Sequence, residues 1–211
     1  MRARLSLIGV AVLLVGLACT NPAERSEDAA KTHPRQVLLI RHGEKPPEGD
    51  KSTDLSARGM ERAAALPNLF KKSATRPQPF TTPDYIFATK NTKSSHRPVE
   101  TVTPLARSLG LTISAEYTND DYAKLADHLL KHTSYTNKTI LVSWHHGKIP
   151  DLAHTLGASN APNDWKGTVF DRVWQLTYDE KGKVTFLDLP QHLLPATRTS
   201  NRPGPGDMTH R

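Results

Sequence analysis

Apolar residues recur along this chain in two periods. Continuous runs rich in branched side chains occupy Gln36–Arg41 (QVLLIR) and Lys138–His146 (KTILVSWHH), with shorter runs at Asp84–Lys90 and Leu111–Tyr117. Runs of that length without polar alternation are what strands buried on both faces require. Between them the spacing turns helical. Thr53–Lys72 sets Leu55, Met60, Ala63 or Ala64 and Leu66 on one side, with Thr53 or Ser56 to cap the start and Pro67 to kink or end the helix. Arg97–Gly110 has Pro98 where a first turn tolerates it and Gly110 where a helix stops. Asp120–His132 turns Leu125, Ala126 and Leu129 inward behind an acidic start at Asp120 or Asp121, and Ile149–Gly157 is a short helix. Asp171–Leu189 alternates in two arms about Glu180–Lys183 and predicts a hairpin. Strand and helix in alternation, closed by a hairpin, predict a three-layer α/β/α sandwich. Its sheet should be mostly parallel with a C-terminal antiparallel hairpin.

The ends of the chain follow neither period. Arg2 and Arg4 precede an apolar run from Leu5 to Ala18, too short to span a bilayer comfortably, so residues 1–18 are expected to be a cleaved export signal. Ala18-Cys19 resembles a bacterial lipobox, although Gly16 stands where such boxes carry a larger aliphatic residue. The resemblance implies lipidation of Cys19, anchorage to a membrane and a place in the cell envelope or periplasm. Cys19 is the single cysteine, so the chain forms no internal disulfide and no thiolate zinc site. Residues 19–32 are small, polar and charged, as a flexible tether should be, and 195–211 are rich in Pro, Gly and Arg and predict a disordered tail. Residues 33–194 remain as one domain.

Charge narrows the partners. Lys and Arg number 28 against 21 Asp and Glu, a mild excess that suits an anionic ligand or a membrane surface. The basic residues form no stripe and aromatics are only 6%, which argues against nucleic acid. The ten histidines show no His-Glu-x-x-His spacing to support a metal site, and no organic cofactor is expected. Nothing in the sequence sets an oligomeric state.

In an open α/β sheet the ligand lies beyond the carboxyl ends of the strands. Three predicted strands end in polar, catalytically useful residues: Arg41-His42-Gly43, the stretch leading to Ser94, Ser95 and Arg97, and His145-His146. Arginine matches phosphate with a planar fork of donors, and neutral imidazole supplies a nucleophilic nitrogen. Neighbours on a strand face opposite ways, so Arg41 and His42 share a site only if the strand breaks. Gly43, with its wider backbone freedom, is expected to supply that break.

These stretches, RHGEK, LSARGMERAAAL, SSHRPVET and a late strand ending in His, resemble in order the histidine phosphatase superfamily, the phosphoglycerate-mutase-like fold. The resemblance covers Gln36 to about Leu189. It implies a phosphatase in which His42 becomes transiently phosphorylated while Arg41 and Arg97 hold the phosphoryl oxygens. Ser94 and Ser95 are further candidate donors to phosphate, though serines before a helix are commonly caps. A late histidine completes the set. A gapless match selects His145; Trp144 and the Gly147-Lys148-Ile149-Pro150 continuation favour His146. For the proton donor to the leaving oxygen the sequence offers Glu116, Asp120, Asp121 and Glu44, with no motif to choose among them. The long insertion that forms a specificity lid in mutases is missing, which turns the expectation from mutase to hydrolase, since a mutase must exclude water. The expected substrate is a phosphorylated small molecule or phosphoprotein. The alternative is an envelope lipoprotein that binds phosphate esters without turning them over.

Overall fold

The branched runs form strands that cross the middle of the molecule. The structure is a computed structural model, which describes residues 32–195. The predicted export signal, Cys19, most of the tether and the tail after Pro195 lie outside the described residues.

Six strands form one sheet: β1 (Gln36–Arg41), β2 (Tyr85–Ala88), β3 (Ile113–Ser114), β4 (Thr139–Trp144), β5 (Arg172–Tyr178) and β6 (Val184–Pro190). Their order is β3-β2-β4-β1-β5-β6. The first four run parallel, and β5 and β6 add an antiparallel pair at the β1 edge. Alternation along β1 explains the layers. Val37 and Leu39 face a core cluster that includes Leu125 and Leu129 of α3 (Tyr122–Lys131) and Leu152 of α4 (Ile149–Thr155). Leu38 and Ile40 face the other way, onto Val102 and Leu105 of α2 (Arg97–Leu109) and onto Leu66 and Leu69, which follow α1 (Ala57–Ala65). All six residues of β1 and all six of β4 are buried, as strands covered on both faces must be. The three-layer expectation stands.

The local signals are realised with two differences. Ser56 is the cap of α1, its hydroxyl accepting the Gly59 N–H at 3.1 Å. The helix ends at Ala65, and Pro67 opens a 3-10 turn over Leu66–Phe70. Pro98 lies in the first turn of α2, and Gly110 ends that helix in the left-handed region at φ 66. The inward face of α1, however, is Gly59, Arg62 and Ala63, while Met60 is 55% exposed. A buried arginine in place of a buried methionine follows from an ion pair with Glu44, which a hydrophobic period does not register. The third strand is also shorter than Leu111–Tyr117: as an edge it pairs only with β2, over two residues.

Candidate active site

The site grows from the parallel register of the two central strands. Arg41 pairs with Trp144, and the His42 N–H continues the ladder to the Trp144 carbonyl at 3.1 Å. The residues leaving the two strands, His42 and His145, are therefore neighbours, their rings edge to face with centroids 5.1 Å apart. His146 instead opens the 3-10 turn His146–Lys148 and packs against Gly167, where an added Cβ would come 3.3 Å from its Nε2. The sequence favoured His146, but the structure puts His145 beside His42. The gapless match also points to His145, and aligned strand ends in a parallel pair deliver equivalent positions to the same point.

His42 is 3% exposed, and its Nδ1 lies 2.7 Å from the Gly43 carbonyl. A carbonyl only accepts, so Nδ1 carries the hydrogen and Nε2 presents its lone pair. Burial, with His145, Arg41 and Arg97 adding to it, pushes the imidazole down to about 3. His145 is lowered to about 4, by burial first and then by Arg97, His146 and Arg41. Both rings are therefore neutral at neutral pH.

Arg41 is 2% exposed. Its Nη1 donates to the carbonyls of Gly167 (2.6 Å) and Val169 (3.1 Å), and its guanidinium carbon lies 3.7 Å from the Phe170 ring centroid. The same ring stands 6.4 Å from His42, so Arg41 and His42 meet on one side of the sheet edge. Burial lowers the Arg41 pKa to about 10, which leaves it a cation at neutral pH. Arg97, the first residue of α2, donates through Nη1 to the Thr53 carbonyl at 3.1 Å. Burial lowers its pKa too. Arg41 Nε, Arg97 Nε and Ser95 Oγ are buried without a partner among the described residues. Unmet buried donors are costly, and two of these belong to cations at the edge where His42 lies.

Gly43 differs from its expected role. It is absent from the glycines with positive φ, so its backbone is open to any residue. What requires glycine is contact: an added Cβ would meet the Gly59 carbonyl at 3.0 Å and Leu55 Cδ2 at 3.1 Å. Thr101 of α2 fixes the turn, accepting the Gly43 N–H at 2.8 Å and donating to the Arg97 carbonyl at 2.7 Å. Thr101 belongs to the stretch that carried the resemblance, yet its role shows only in three dimensions. Phe170 had no signal at all in the sequence.

The candidate proton donors do not assemble around His42. Both oxygens of Glu44 receive the Arg62 guanidinium, at 2.9 and 2.6 Å, which corrects the expectation of a free donor there. Asp121 is held as a carboxylate, down to about 2, by Lys124 and Thr118, the opposite of what an acid needs. It closes a capping box with Thr118 instead. Glu116 and Asp120 are exposed. Ser94 is exposed as well, its hydroxyl 3.0 Å from that of Thr92, so it serves a turn. A carboxyl that no motif singled out, Glu100, lies one helical turn beyond Arg97 and accepts the Leu55 N–H at 2.8 Å. Burial first, and Asp54 next to it, raise its pKa.

No family model matches the chain, and no curated protein does. Solved structures match. The protein histidine phosphatase SixA complexed with tungstate superposes with a TM-score of 0.52 at 20% identity, over 74% of this chain and 97% of that one. A mycobacterial glucosyl-3-phosphoglycerate phosphatase gives 0.48 at 13% identity over 74% and 97%. Phosphoglycerate mutase from Bacillus anthracis str. Sterne gives 0.46 at 13% identity over 75% and 94%. On the first of these, the chain shares the fold of that phosphatase.

Proposed function

We propose that the protein is a phosphatase that works in two steps through a phosphohistidine on His42. The observation that carries this reading is the pairing of a neutral, buried imidazole, its Nε2 lone pair left open, with two guanidinium groups, that of Arg41 buried and that of Arg97 half-buried, whose buried Nε–H donors have no partner among the described residues. A phosphoryl group fits both halves. Its oxygens take the donors of Arg41 and Arg97, and its phosphorus takes the lone pair. In the first step the Nε2–P bond forms, the bond from phosphorus to the leaving group breaks, and the leaving group departs with the electron pair. In the second, water attacks phosphorus, the N–P bond breaks, and inorganic phosphate leaves with the imidazole neutral again. His145, uncharged and beside His42, donates an N–H to the oxygens as charge builds on them.

The positions of Glu44, Asp121 and Glu116 favour substrates whose leaving group needs little help from a carboxylic acid. Phosphoramidates that bring their own proton and aryl phosphates fit this better than alkyl phosphates. The envelope location belongs to the same proposal and is supported by the sequence of residues 2–19 alone.

Turnover of p-nitrophenyl phosphate by the full chain tests the assignment. His42→Ala is expected to abolish it with the fold intact. His145→Ala should lower kcat by about 10²–10³-fold, the scale of losing one donor to a developing oxyanion, and His146→Ala by much less. Brief exposure to a labelled phosphodonor should leave acid-labile label on wild type and none on His42→Ala. A non-catalytic binding protein would take up no label, and equal turnover by His42→Ala and wild type would end the proposal.

A further inference from the structure

The orientation of Arg41 is set by one loop. Both bonds of its Nη1 go to that loop, to the carbonyls of Gly167 and Val169, and Phe170 lies against the guanidinium face. The loop is itself anchored. The Val169 carbonyl also accepts the Trp165 indole N–H at 3.0 Å. Trp165 is 3% exposed and packs on Trp174 of β5 with ring centroids 4.9 Å apart. At Gly167 the loop rests on the His146 ring.

We infer that Trp165–Phe170 is a clamp that fixes the rotation of Arg41, and that Phe170 is the positioning residue through which it acts on oxyanion binding. This rests on the reading of Arg41 as a phosphoryl ligand. A guanidinium is planar, so holding one Nη and one face determines where the opposite edge points. Here the held nitrogen is Nη1. The edge left over is Nε–Nη2, the pair that grips an oxyanion bidentately, and its Nε is buried with no partner among the described residues. The clamp thus turns a side chain with several rotamers into a preset fork, and the ordering is complete before ligand arrives. The cation–π contact is desolvated, where such contacts are strongest. His146 has a part in this arrangement through Gly167 rather than at the reacting atoms.

The test uses the full chain as wild type, Phe170→Leu, Phe170→Tyr and Trp165→Phe. Tungstate binding by calorimetry is read beside kcat/KM for p-nitrophenyl phosphate, with a melting curve for each variant. Phe170→Leu keeps apolar bulk and removes the π face; it should weaken tungstate binding about tenfold and lower kcat/KM at least as far. Phe170→Tyr, which keeps the face, should stay close to wild type in both. Trp165→Phe keeps the ring packing and removes the N–H to Val169, so a smaller loss in the same direction is expected. If Phe170→Leu fails to fold, Trp165→Phe decides the matter. Wild-type tungstate affinity in Phe170→Leu, or in Trp165→Phe where that variant decides, overturns the clamp. So does a Phe170→Tyr as weak as Phe170→Leu, or a wild type that binds no tungstate. A chain that binds tungstate in a Phe170-dependent way but hydrolyses nothing keeps the clamp and removes the phosphatase reading.

Discussion

At the scale of the residue, the decisive property of His42 is that it is buried without a charge. An exposed histidine titrates near 6.5, but here burial holds the proton off down to about 3. Two consequences have opposite directions. For catalysis, Nε2 keeps its lone pair well below neutrality, so kcat/KM with an aryl phosphate should show no acid limb from loss of the nucleophile between pH 7 and about pH 5. For stability, the unfolded chain takes up a proton on His42 as pH falls through 6.5 while the folded chain does not until about 3. Stability is therefore present above the unfolded value and is lost as pH falls across that window. The His42 share of the loss is on the order of 3 kcal/mol by pH 4, from about 1.4 kcal/mol per unit. Urea denaturation of wild type and His42→Ala at pH 7 and pH 4 checks it: the pH-linked loss should be smaller in the variant. Equal losses in the two proteins would place the acid sensitivity elsewhere.

At the scale of the element, the contact that builds the site is between the end of β1 and the start of α1. The Glu44 carbonyl accepts the Ser56 N–H at 2.9 Å and its hydroxyl at 3.1 Å. Gly59 lies so close that an added Cβ would stand 2.4 Å from that carbonyl oxygen. Gly59→Ala therefore has to push α1 off the strand end, an overpacking cost of about 1–3 kcal/mol, and should lower kcat/KM with it because His42 is two residues before Glu44. Guanidinium chloride denaturation measures the first and steady-state kinetics the second. An unchanged midpoint would mean that the helix yields freely. This junction also explains how far the sequence could be read. Strand and helix positions follow from one-dimensional periods, and so did the sheet edge where Arg41, His42, Arg97 and a late histidine gather. What the periods could not give is contact between distant segments. Gly43 was expected to break the strand through its backbone freedom and instead makes room for Gly59. That His145 rather than His146 lies beside His42 follows from the register of β1 on β4. Phe170 lies in an irregular loop with no period to read.

At the scale of the whole molecule, the turn that follows β1 is tied to the far end of the described chain through one buried arginine. Arg62, 6% exposed, holds Glu44 with Nε and Nη2 and reaches the Gln191 side-chain oxygen with Nη1 at 3.2 Å. Gln191, 1% exposed and just past β6, donates through its side-chain nitrogen to the Arg172 carbonyl at 3.0 Å, at the start of β5. Its own carbonyl accepts from Arg76. Five residues from separate stretches of the chain, Glu44, Arg62, Arg76, Arg172 and Gln191, thus share one hydrogen-bonded set. Removing one partner leaves the other charge largely buried and unpaired, which costs more than the pair is worth. Arg62→Leu should therefore lose about 3 kcal/mol or more of stability, and Glu44→Leu a comparable amount through the stranded guanidinium. The double variant should lose less than the sum by about 1–3 kcal/mol, because neither charge remains to be stranded. Urea denaturation of the four proteins gives the cycle. A strictly additive double variant would mean that the ion pair does not couple the turn to the C-terminal hairpin. Glu44→Leu carries a second reading in the same proteins. As an anchor of the turn, Glu44 should lower kcat/KM alike for p-nitrophenyl phosphate and for an alkyl phosphate. A proton donor lost at that position would penalise the alkyl substrate far more.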